Sequence, residues 1–323
     1  MSGDPITDTQ EMPLNAQPTP TPTPAATAPA AKPKLDWISA IKSDDKETIN
    51  QYIKNEINDI IHKNNLSNYT TIMLVDEVDS ISNYHADQIY AAATESDIKD
   101  DILLIINSGG GGIEPAYLLS KTLKRLSCGK FVVAVPRRAK SAATLICLGA
   151  DEIHMGLMSH LGPIDPQMGG LPALALGNAL NVIAELACQF PGAAEIFKDY
   201  LRVQAPIRNI GYYQRVNESA VQYAERLLQS RTFGSNHTSE TVAKHLVNHY
   251  KDHGFVIDID EATELLGSDM IKINSFEYKA ADEIYRMLDF IGFVMAIEKK
   301  KYWHVGSVET GFGYRNDKNQ YEN

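Results

Sequence analysis

The sequence predicts an α/β fold: a mainly parallel sheet built from βαβ units, with a helical C-terminal extension. Three observations predict it. The runs Ile72-Met73-Leu74-Val75, Ile102-Leu103-Leu104-Ile105-Ile106 and Phe131-Val132-Val133-Ala134-Val135, with the shorter Glu152-Ile153-His154-Met155, have the length and apolarity of strands buried on both faces. Segments with helical periodicity separate them, which implies right-handed crossovers between parallel strands. Beyond the turn at Asp165 the pattern becomes almost wholly helical.

Taken in order, residues 1–35 alternate Pro with Thr and Ala and predict an extended arm that cannot bury apolar surface. A helix is expected from Trp37 to about Lys63, carried by Ile41, Ile49, Ile53, Ile57, Ile60 and Ile61. Another, His85 to Thr94, returns the chain to the strand at Ile102. That strand ends at Asn107-Ser108-Gly109-Gly110-Gly111-Gly112, where glycines permit positive φ and close approach of bare backbone. Ala116, Leu119, Leu123 and Leu126 then mark a helix. Ser141 opens the apolar helix Ala142 to Leu148, which Gly149 closes. Further helices are expected over Leu174 to Phe190, Ala193 to Arg202, Val216 to Ser230 and Thr238 to Tyr250. A short one follows Asp258, Lys272-Ile273 is a strand, and Glu277 to Lys299 is the last helix. The organisation is thus an arm (1–35), an α/β domain with its helical extension (36–300) and a tail (301–323) rich in Gly, Tyr and His that suggests no element.

Composition narrows the function. Of 323 residues, 44% are hydrophobic and 22% charged, as in ordinary globular chains, and the formal net charge is −11. That charge argues against a nucleic-acid partner, which calls for clustered Lys and Arg, and against anionic lipid. Cys128, Cys147 and Cys188 are far apart and support neither a disulfide framework nor a zinc site. His245 and His249 stand at i, i+4, but Leu246 occupies the place of the zincin glutamate, so no metal is expected. No cofactor is implied. The N-terminus lacks a secretory pattern and the most apolar segment, around Leu288 to Ile297, is too short to span a bilayer. A cytoplasmic protein without a membrane partner is the expectation.

The chemistry concentrates between Ile102 and Gln167. Two helix N-termini stand at the carboxyl ends of adjacent strands, where open α/β sheets bind ligands; one follows glycines, the other opens with Ser141. A hydroxyl beside unpaired N–H groups is what acyl transfer needs: a nucleophile, with donors for a developing oxyanion. Serine is also a favoured helix N-cap, which would give Ser141 a purely structural role.

The ordered set Asn107-Ser108-Gly109-Gly110-Gly111, Lys140-Ser141-Ala142-Ala143, Gly149-Ala150-Asp151-Glu152-Ile153 and Leu161-Gly162-Pro163-Ile164-Asp165-Pro166-Gln167 resembles the serine dehydrogenase proteinase family of the Clp/crotonase superfamily. The resemblance implies a ClpP/crotonase-like fold and a serine peptidase, with Ser141 as nucleophile and the N–H groups of Gly111 and Ala142 as oxyanion hole. The family's Ser, Asp, His order makes Asp165 the orienting carboxylate and His253 the base. His160, nearer in sequence, is the alternative base; His154 and Lys140 are weaker candidates. Arg137, Arg138 and Lys140 form a basic group that either holds an acidic part of the substrate or is simply a charged loop. The implied partners are a peptide or unfolded protein substrate and further copies of the same chain. Some members carry membrane segments, and there this sequence departs. Two other readings stay open: a crotonase-type acyl-thioester protein, which needs no serine at the helix start, and a catalytically inactive scaffold.

Overall fold

The computed structural model describes residues 37–95, 101–204, 207–233 and 237–317. The arm expected over 1–35 and the end of the tail, 318–323, lie outside them.

Two helices open the described chain, α1 (Trp37–Lys42) and α2 (Lys46–Lys63). The single helix expected here is broken because Asp44 takes φ 57°, and Asp45 then caps α2 by accepting from Thr48 N–H. Ile49, Ile53, Ile57, Ile60 and Ile61 form the buried face of α2. The sheet begins with β1 (Tyr69–Asp76), followed by α3 (Asn83–Glu95), β2 (Asp101–Ser108), α4 (Ile113–Leu126) and β3 (Phe131–Ala134). A two-residue strand β4 (Arg138–Ala139) leads into α5 (Ala142–Leu148), then β5 (Glu152–Met155) and the short β6 (His160–Leu161). A small hairpin, β7 (Gln167–Met168) and β8 (Leu171–Pro172), precedes the helical region. That region comprises α6 (Ala175–Gln189), α7 (Ala194–Gln204), α8 (Ile207–Leu228), α9 (Ser239–Asn248) and α10 (Ile259–Leu266). Strand β9 (Ile271–Ile273), α11 (Phe276–Ile297), β10 (Lys300–Ser307) and β11 (Phe312–Asn316) complete the chain.

The fold is α/β with a largely parallel central sheet, in the strand order β11-β10-β1-β2-β3-β5-β9. From β1 to β9 every neighbouring pair is parallel, as the runs of apolar residues predict. Leu103 to Ile106 and Phe131 to Ala134 have no exposed surface, the burial expected of strands covered on both faces. The two edge strands at the other side come from the tail. Residues 300–316 form an antiparallel hairpin on β1, with Leu74 opposite Val305 and His304 opposite Phe312. Buried Val305 and His304 there were hidden in a segment whose composition suggested no element. No described helix is long and apolar enough to cross a membrane.

Candidate active site

Strand β4 is what brings the glycine loop and the Ser141 segment together. Ala139 pairs with Ser108 at the carboxyl end of β2, and Lys140 N–H donates to the Ser108 carbonyl at 3.1 Å. Asn107 fixes the same junction: its Oδ1 accepts from Arg138 N–H (3.1 Å), and its Nδ2 donates to Glu77 (2.7 Å). Ser141 therefore follows directly against the glycine loop. A Cβ on Gly110, whose φ is 103°, would lie 2.6 Å from the Lys140 carbonyl and 2.8 Å from Ser141 Cβ, so only glycine admits this approach.

Ser141 itself has φ 52° and ψ −119°, a conformation L-residues rarely adopt. Its side chain makes no capping hydrogen bond, so the structural role open to a helix-start serine is not the one it fills. Ala142 N–H, the first of α5, has no intrahelical acceptor. In the glycine loop, Gly110 N–H donates to Ser108 Oγ (3.2 Å) and Gly112 N–H to the Ile81 carbonyl (2.7 Å). Ile81 N–H in turn donates to the Gly110 carbonyl (2.9 Å). The two amides flanking Gly111 are thus occupied, while Gly111 N–H has no acceptor among the described residues.

Asp165 and His253 meet although 88 positions separate them. Leu161 and Ile257 exchange both backbone hydrogen bonds, at 2.9 and 3.1 Å, and Ile164 N–H donates to the Leu246 carbonyl (2.9 Å). This lays the 251–257 turn beside the Gly162-Pro163-Ile164-Asp165 turn. His253 Nδ1–H donates to Asp165 Oδ1 at 2.6 Å; the carboxylate can only accept, which fixes the tautomer and leaves Nε2 free. Gln167 Nε2 holds the other carboxylate oxygen at 2.7 Å. Asp165 is largely buried (13% of its side chain exposed) and His253 partly so (34%). Thr144 links this turn to α5: its hydroxyl lies 2.6 and 2.8 Å from the carbonyls of Ala139 and Gly162 and accepts from Gly162 N–H (3.1 Å).

Gly109, Gly110, Gly111, Ser141, Ala142 and His253 all line one cleft of about 580 Å³. Ile113, Ile164, Met168 and Val216 supply its apolar wall, and Glu77, Asp79, Glu114 and Arg138 its charged rim. His160, the alternative base, is absent from this lining; burial, with the charges of Lys140 and Arg138, pushes it below the usual imidazole range. His154 is buried on the sheet, 2.6 Å from Ser275 Oγ and 3.2 Å from Glu152. The basic group also has partners of its own: Arg137 donates to Asp282 (2.5 Å), Arg138 pairs with Glu77 (3.3 Å), and Lys140 Nζ donates to the Gly254 carbonyl (2.9 Å). Cys147, behind Ser141 on α5, is fully buried, and burial pushes its thiol well above the usual range. His245 and His249 stack at 4.1 Å, and the described residues contain no cluster of three or more ligating side chains placed for a metal.

Residues 42–186 match the ClpP-like SDH-type serine proteinases. Over that segment, which is less than half of its length, the chain is similar to this family. The matched part contains Gly111, Ser141, Ala142 and Asp165, whereas His253 lies beyond it. Two uncharacterized proteins of Methanocaldococcus jannaschii are similar in sequence. One is 28% identical over 63% of this chain and 63% of its own length; the other is 38% identical over 23% and 25%. The chain therefore spans less than two thirds of either relative. Among solved structures, the chain is similar to the 1510-N membrane-bound stomatin-specific protease in complex with a substrate peptide (14% identity, TM-score 0.39, 78% of this chain and 88% of that one). It is also similar to ClpP1 from Listeria monocytogenes (14%, 0.39, 65% and 94%).

Proposed function

We propose that this ClpP-like proteinase hydrolyses peptide bonds, with Ser141 as nucleophile, His253 as general base and Asp165 as the carboxylate that orients it. The observation that carries this reading is the 2.6 Å bond from His253 Nδ1 to Asp165, on a cleft that Ser141 shares. Orientation by Asp165 points Nε2 away from the carboxylate and gives the base one free lone pair to take the Ser141 proton. Attack on the scissile carbonyl then develops an oxyanion, for which Gly111 and Ala142 supply the two unpartnered N–H groups. Collapse of the tetrahedral intermediate passes the proton from His253 to the leaving amine, and water repeats the sequence on the acyl-enzyme.

The substrate is an extended or unfolded segment able to lie in an open cleft. The chain works as a homo-oligomer, a reading that the exposed stripe of Phe290, Phe293 and Ile297 along α11 supports. Incubation with an unfolded protein tests the function: cleavage by the wild type and its loss in Ser141→Ala are expected. Hydrolysis of an acyl thioester with no peptide cleavage would replace this reading with the crotonase-type one.

A further inference from the structure

The molecule holds a second Ser-His-Asp array, and it is not a second active site. His85 Nε2–H donates to Asp76 Oδ2 at 3.1 Å, and His85 Nδ1 accepts from Ser82 N–H (3.2 Å), with Ser82 Oγ 3.0 Å away. His85 and Asp76 are only 2% and 4% exposed, and Ser82 commits its backbone amide to the imidazole. Ser82 is exposed, but the imidazole lone pair that would take its proton is already held by the serine's own backbone N–H.

Its position points to another role. Asp76 ends β1 in register with Ser108, the last residue of β2 before the glycine loop. Asp76 Oδ1 accepts from Val78 N–H (2.7 Å) and Asp79 N–H (2.9 Å), which fixes the start of the turn that leads to Ile81. His85 fixes the end of that turn through Ser82. Between these two anchors Ile81 clamps the glycine loop from both sides, accepting from Gly112 and donating to Gly110. The contact is close: a Cβ on Gly111 would stand 2.5 Å from the Ile81 carbonyl oxygen and 2.8 Å from its Cα. On its opposite side the loop abuts Lys140 and Ser141. The glycines are therefore held between Ile81 and the nucleophile, and a shift of Ile81 moves Gly111 N–H.

We infer that Asp76 and His85 are positioning residues which, through Ile81, aim the Gly111 amide at the oxyanion. This rests on the serine-peptidase reading of the cleft. The tautomer makes the array specific: Nδ1 must be unprotonated to accept from Ser82 N–H, so Nε2 must carry the proton and face an acceptor. Asparagine at 76 keeps the acceptor for Val78 and Asp79 but presents an N–H to His85 Nε2–H.

The test uses the full chain with Asp76→Asn, His85→Ala and His85→Gln. Turnover of a fluorogenic peptide and inhibition by a peptide boronate, which forms a tetrahedral adduct at the serine, are measured with amide hydrogen exchange at Gly112. Asp76→Asn and His85→Ala are expected to lower kcat about 10–100-fold, as for a misplacement of about 1 Å. Boronate affinity falls by a similar factor while KM stays within about threefold, as loss of a transition-state contact requires. Exchange at Gly112 speeds up at least tenfold. His85→Gln, which can still donate and accept, recovers part of the loss. A fall in kcat that matches the loss of folded protein, with boronate affinity of the folded fraction unchanged, would reduce the array to a structural support and overturn the inference. Unchanged boronate affinity, or unchanged exchange at Gly112, would overturn it too. The exchange arm reads the loop even in a protein without turnover. Absence of wild-type turnover and boronate binding would instead overturn the peptidase reading.

Discussion

Gly111→Ala puts the oxyanion loop to a quantitative test. The new methyl would sit 2.5 Å from the Ile81 carbonyl oxygen, while real Cβ contacts do not fall under 3.0 Å, so loop or turn must yield by at least half an ångström. The φ of 155° adds strain, because L-residues rarely adopt it. The loop cannot retreat toward Ser141, since Gly110 already packs against Lys140 and Ser141 there. Gly111 N–H must therefore be displaced. Complete loss of one such donor costs about 10²–10³ in rate, roughly 2.7–4 kcal/mol, and a partial displacement points to the lower end, about 10². Steady-state turnover of a fluorogenic peptide reads this as a fall in kcat with KM nearly constant, and thermal unfolding verifies that the variant is folded. Gly109→Ala is the comparison: a Cβ there meets nothing within 4 Å, so it loses less than about tenfold. Equal activity in Gly111→Ala and wild type would refute the assignment of this amide.

Other outcomes follow from the same structure. Asp165→Asn presents a donor to His253 Nδ1–H and favours the wrong tautomer, so kcat is expected to fall on the order of 10⁴-fold with the fold intact. Lys140→Met removes the bond to the Gly254 carbonyl, and turnover should fall by no more than about tenfold; abolition would make Lys140 the base instead. Two groups contribute to the acid stability with large shifts. Burial pushes His304 down to about 4 from 6.5, so below pH 6.5 the unfolded chain binds the extra proton and stability is lost as pH falls toward 4, by about 3 kcal/mol. Glu277, held down at about 2 chiefly by its hydrogen bond with His154, contributes stability that is complete above pH 4.5 and disappears between there and 2. Urea unfolding across pH should show both windows, and His304→Leu should shrink only the first.

The fold was legible because its central strands are buried on both faces and so read as continuous apolar runs such as Leu103 to Ile106. The tail was not legible: β10 and β11 lie at the edge of the sheet, mix Tyr, Lys, His and Gly, and become strands only because β10 pairs with β1 and β11 with β10. In the candidate site, Ser141 and the glycines announce themselves by local spacing. The meeting of Asp165 and His253 depends on the Leu161–Ile257 bridge, which spacing alone does not reveal. Asp76 and His85 carry no local signal, since an aspartate ending a strand and a histidine starting a helix are common; nine positions apart, they acquire meaning only once the turn between them closes over the glycine loop.

The most direct measurement is mass spectrometry of the protein after exposure to a fluorophosphonate. The account predicts a single adduct on Ser141, absent in Ser141→Ala and slowed at least 10²-fold in His253→Ala. Folded wild-type protein that takes no adduct, or an adduct on Ser141 that forms as fast without His253, would contradict it.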